Sequence, residues 1–78
     1  MIEGTVFFKL ANVGSKSEGV YPFFLTKNQT ILRVWKKDDF SLNGIALKPY
    51  EGKHVVIRGE MDENNIFLIS DIEELEKQ

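Results

Sequence analysis

Apolar and polar residues alternate with a period of two at the start of the chain. Ile2, Gly4, Val6, Phe8 and Leu10 interleave with Glu3, Thr5, Phe7 and Lys9. That period places the two sets on opposite faces of an extended strand. Residues 12–19 then collect Gly, Ser, Lys and Glu, the composition of a loop. Residues 20–26, dense in Tyr, Phe and Val, read as a second strand. Lys27-Asn28-Gln29 makes a short turn, and residues 30–36 return as a third strand, so these two predict a hairpin. The strand pattern breaks next. Asp38 or Asp39 can cap a short helical turn over Phe40-Ser41-Leu42-Asn43, with Gly44 as its left-handed stop. Ile45-Ala46-Leu47 leads to Pro49, which forbids helix continuation and favours an extended approach. Glu51-Gly52 is a turn, and His54-Val55-Val56-Ile57-Arg58 is a fourth strand, with Gly59 where a bulge is tolerated. Asp62-Glu63-Asn64-Asn65 reads as a hairpin turn before a fifth strand at 66–69. Ser70-Asp71-Ile72-Glu73 fits a capping box that starts a terminal helix, while Ile72 and Leu75 equally fit a longer strand.

Five short strands with one helical turn between the third and fourth predict an all-β, five-stranded barrel of the oligonucleotide/oligosaccharide-binding (OB) type. An SH3-like barrel also has five strands. It usually puts its helical turn between the fourth and fifth, where this chain has only residues 62–65. Tyr50-Glu51-Gly52-Lys53-His54-Val55-Val56-Ile57-Arg58-Gly59, followed by Ile66-Phe67-Leu68 and Ile72, resembles the closing hairpin of small bacterial OB-fold proteins. There a Gly-Lys turn leads into alternating branched residues and a glycine. The resemblance is at superfamily level and covers about half the chain.

A length of 78 residues allows one domain, 1–78, with one modest core. At 42% hydrophobic and 28% charged residues the chain belongs to the ordinary globular class. It has no cysteine, which excludes disulfides, thiol chemistry and thiolate metal sites. The N-terminus has neither a basic segment nor a long apolar one, and no apolar run reaches the roughly 18 residues of a membrane span. A cytoplasmic protein without a membrane role is therefore expected, and Asn28-Gln29-Thr30 matches the glycosylation pattern by chance. Net charge is −2 but unevenly spread. Residues 1–58 hold nine cations against five carboxylates, and residues 59–78 hold one against seven. A weakly basic body thus carries an acidic end, 59–78, with a solvated surface that keeps a small protein soluble as the other reading, and 70–78 fits a frayed acidic tail.

Catalytic chemistry is hard to assemble. His54 is the single histidine, and the serines at 15, 17, 41 and 70 lack nucleophile-elbow spacing. Gly14-Ser15-Lys16-Ser17-Glu18-Gly19 opens like a phosphate loop but continues with Val20-Tyr21 where that loop needs Lys and Ser or Thr. Asp62, Glu63 and Asn64 offer oxygens that a hairpin turn already explains, and no ligand set suits zinc. No enzyme, cofactor or metal is expected.

A binding face is the positive expectation. With Leu32 and Val34 inside a barrel, Ile31, Arg33 and Trp35 point out. With Phe8 inside, Phe7 and Lys9 point out. In the second strand, Phe23 and Leu25 inside leave Pro22 and Phe24 outside. Phe7, Lys9, Phe24, Arg33 and Trp35 are then the candidate ligand residues, aromatic platforms mixed with cations. OB domains bind single strands or sugars across their second and third strands. A non-catalytic module for single-stranded nucleic acid is therefore expected, with a protein-interaction or self-associating accessory domain as the other reading of the same patch.

Overall fold

In the computed structural model, which describes residues 1–75, the alternating N-terminal segment forms β1 (Ile2–Ala11). Four more strands follow: β2 (Gly19–Thr26), β3 (Ile31–Lys36), β4 (His54–Met61) and β5 (Ile66–Glu74). A 3₁₀ helix, Ile45–Tyr50, lies between β3 and β4. The sheet runs β1-β2-β3-β5-β4 and closes on itself, because β4 pairs back on β1 from Ile2↔Ile57 to Thr5↔His54. Every pairing is antiparallel except β3 with β5, which is parallel. Parallel neighbours need a long crossover, and here the 3₁₀ helix and β4 supply it.

Each strand sends side chains into the enclosed space. Val6, Phe24, Val34, Val55, Ile57 and Ile69 are fully buried with Phe67 beside them, and Leu47 of the 3₁₀ helix completes the cluster. Among the described residues, no buried residue is polar or charged.

The second strand faces the other way from the sequence reading. Phe24 is fully buried, Pro22 is buried, and Leu25 is exposed. Opposed residues of antiparallel neighbours share a face. Phe24 lies opposite Val6 of β1 and Leu32 of β3, both inward. Its ring occupies the space left by Gly4, where an added Cβ would sit 2.7 Å from the ring and 2.1 Å from the Leu25 carbonyl oxygen.

The helical turn is also displaced. Residues 41–43 form bends, and the helix begins only after Gly44, itself in the left-handed region at φ 67°. Gly44 has no side chain to cap with, so the cap comes from upstream. Asp39 Oδ2 accepts the Ala46 N–H at 3.1 Å and Ser41 Oγ accepts the Ile45 N–H at 3.0 Å. Pro49 is tolerated because it sits at the end of this tight helix.

Gly59 lies at a register shift between β4 and β5, where Ser70 is the extra residue. A Cβ there would meet the Leu68 carbonyl oxygen at 1.8 Å. Beyond the shift β5 stays a strand: Ile57↔Ile72 and Val55↔Glu74 pair, and Leu75 donates to the His54 carbonyl at 3.0 Å. Of the expected acidic tail, residues 70–74 are therefore strand, and 76–78 lie outside the described residues.

Candidate nucleic-acid interface

The register of β1, β2 and β3 arranges their outward side chains in rows. Thr5, Leu25 and Ile31 form one row, Phe7, Phe23 and Arg33 the next, and Lys9 with Tyr21 the third. Trp35, two residues beyond Arg33 on β3, continues the same face beside Tyr21 at 6.4 Å between ring centroids. Leu25 and Ile31 are exposed, at 39% and 56%.

The rings hold one another and the cations. Phe7 and Phe23 stack across the strands at 5.7 Å and 24°. The Arg33 guanidinium lies 5.3 Å from the Tyr21 ring and 5.9 Å from the Phe23 ring. Lys9 reaches the Phe23 ring from the other side at 5.4 Å. Cations over aromatic faces gain about 0.5–1 kcal/mol at exposed sites, so Arg33 is pre-positioned without losing its charge. Its Nε is buried and without a hydrogen-bond partner. The Trp35 indole is half-buried and fixed by Nε1 donating to the Asp39 carbonyl at 2.8 Å.

Asp39 organises the loop beside this face. Its carboxylate accepts the Ser41 N–H at 2.9 Å as well as that of Ala46. These hydrogen bonds, led by Ser41, hold its pKa below the ordinary 3.8 against the opposing effect of desolvation. The loop so braced presents Phe40 and Leu42 almost wholly to solvent, at 92% and 91%.

Beyond Phe23↔Arg33 the β2–β3 ladder stops. The Thr26 N–H donates to the Thr30 carbonyl of the turn, so even-numbered residues of β2 aim their backbone groups at β3. Pro22 falls on that side and has no N–H to give. Past it lies a groove of about 720 Å³ between residues 16–21 and Leu42-Asn43.

Four of the expected residues, Phe7, Lys9, Arg33 and Trp35, therefore come together on one face. Phe24 does not: it belongs to the core, and Phe23 and Tyr21 stand where an aromatic was expected. The turn held the missing signal, since closing it at Thr26 and Thr30 forces Phe24 opposite the inward Leu32.

His54 lies opposite Thr5 and extends the outermost row onto β4, its Nε2 2.7 Å from Glu3 Oε2, with Lys27 3.9 Å from the same carboxylate. The His54 hydrogen bond chiefly, then the Lys27 charge, hold Glu3 below its ordinary pKa of 4.5. Among the described residues no cluster of three or more His, Cys, Asp or Glu could hold a metal ion, and no helix is long and apolar enough to cross a membrane. No protein-family model, curated protein or solved structure matches the chain.

Proposed function

We propose that the protein is a non-catalytic OB-type module that binds single-stranded nucleic acid across the outer face of β1, β2 and β3. One observation carries the reading. From Thr5 to Lys9, Tyr21 to Leu25 and Ile31 to Trp35, the outward positions hold four aromatics and two cations and no carboxylate. Glu3, the acidic residue nearest in β1, is engaged with His54 and Lys27. Aromatic platforms are worth about 1–3 kcal/mol per stacked base, and the cations follow the phosphates. Further support comes from the closed five-stranded order with a helix between β3 and β4, the arrangement in which OB domains use the β2–β3 surface.

Trp35 reports the test. Titration with oligo-dT or oligo-U at low salt quenches its fluorescence, and Arg33→Ala, Phe23→Ala and Trp35→Ala each weaken binding, the last read by anisotropy of a labelled oligonucleotide. With Lys9 and Arg33 as phosphate partners, affinity falls about sevenfold from 50 to 200 mM salt. An indole that ignores both oligonucleotides at low salt rejects the proposal.

The exposed Leu25 and Ile31 favour a second reading, a protein contact through the same face. A dimer mass in solution that Trp35→Glu converts to monomer would assign the face to self-association instead.

A further inference from the structure

We infer that the groove beyond the end of the β2–β3 pairing is a third nucleotide subsite, in line with two on the sheet. The inference rests on the nucleic-acid reading and adds to it where the strand leaves the sheet and which loop grips it.

Successive outward residues of β2, Phe23 and Tyr21, lie about 6.8 Å apart along the strand. One sugar–phosphate unit of an extended single strand has a similar reach, so the Phe7–Phe23 and Tyr21–Trp35 rows present two consecutive stacking positions. The next outward position of β2 is Gly19, which has no side chain to offer. There the floor gives way to the groove: the β2–β3 pairing ends at Phe23↔Arg33, and Pro22 has no N–H to extend it. The sheet face and the groove are continuous through Tyr21, which belongs to both.

The groove's chemistry suits a nucleotide. Leu42 offers an apolar surface, 91% exposed, against which a base can lie. Asn43 beside it carries an amide with donors and an acceptor for a base edge. Lys16 on the opposite wall makes no ion pair among the described residues and is free for a phosphate. The acidic residue of that wall, Glu18, is held by the Gly14 N–H at 2.8 Å. Both walls are braced before a ligand arrives. The Tyr21 hydroxyl donates to the Ser17 carbonyl, and Asp39 ties the Leu42 wall to Ser41, Ala46 and the Trp35 indole. A braced apolar wall costs little ordering entropy on binding.

The test is a length series of thymidine oligonucleotides of two, three, four and six residues, with affinity read from Trp35 fluorescence. Wild-type protein gains about five- to tenfold on going from two residues to three, the worth of burying roughly 40–55 Å² of apolar surface between a base and Leu42. Leu42→Asp removes that step and leaves dinucleotide affinity unchanged; the side chain is solvent-exposed, so the fold persists, and far-UV circular dichroism checks this. Lys16→Ala lowers the salt slope for the trinucleotide by about 0.7. A two-to-three step that survives Leu42→Asp overturns the subsite while the sheet face stands. Failure of every length to bind removes both the subsite and the reading beneath it.

Discussion

Phe23 and Phe24 are adjacent and chemically identical, yet the fold gives them opposite roles, which makes their substitution a sharp test of the β2 register. Phe24 is fully buried between Val6 and Leu32 with its ring over Gly4. Truncating a buried phenylalanine to alanine costs about 3–5 kcal/mol through lost transfer energy and the cavity left behind. A domain of 78 residues has a total stability of about 4–12 kcal/mol, so Phe24→Ala consumes much of it. The corresponding fall in Tm is about 12–40 °C. Phe23 is half-buried on the outer face, and Phe23→Ala loses mainly its stacking on Phe7 and its cation contacts. That costs about 1 kcal/mol, a Tm change of about 4–8 °C. Urea unfolding followed by Trp35 fluorescence and by far-UV circular dichroism separates the two. Equal costs, or a larger cost for Phe23→Ala, would refute the register and restore the face that the sequence alone indicated.

Three further substitutions probe the rest of the scaffold. Gly59→Ala places a Cβ against the Leu68 carbonyl and destabilises the protein by about 1–3 kcal/mol in a denaturant melt; wild-type stability would mean the β4–β5 register shift is misplaced. Glu3 has a folded pKa below 4.5, so its contribution is present above that pH and is lost as pH falls through the depressed value. Wild type and Glu3→Gln should therefore differ in Tm at pH 6 and converge on acidification, whereas a constant offset down to pH 3 would contradict the Glu3–His54 pair. Asp39→Ala removes the acceptor for two backbone N–H groups at a cost of about 1 kcal/mol, with faster hydrogen exchange at Ser41 and Ala46; unchanged exchange there would mean the carboxylate does not brace the loop.

Legibility in the sequence followed the polar residues. In β1 and β3, Thr5, Lys9 and Arg33 mark the outward face, and Phe7, Phe8, Leu32, Val34 and Trp35 then fall into place around them. Residues 21–25 of β2 contain no charge and no strongly polar side chain, so periodicity carries no facing information there. The facing is instead set at the turn and by the small Gly4 that admits the Phe24 ring. The sequence offers Asp38 or Asp39 as the cap of a turn over 40–43, and the reach of Asp39 across seven residues to Ala46 is a tertiary feature of the loop. The same applies to 70–74, where local signals for helix and strand balance and the pairing of Ile57 with Ile72 decides. The groove was invisible to periodicity because its walls, residues 16–21 and Leu42-Asn43, come from two segments distant in the chain.

The binding face is tested most directly by ¹H–¹⁵N correlation spectra recorded during titration with a short oligo-dT at low salt. Binding across this face shifts the Trp35 indole N–H and the amides of Phe7, Lys9, Tyr21, Phe23 and Arg33. Signals from Arg58 and Glu73, on β4 and β5, should stay in place. Perturbations centred on β4 and β5, or none at millimolar oligonucleotide, would contradict it.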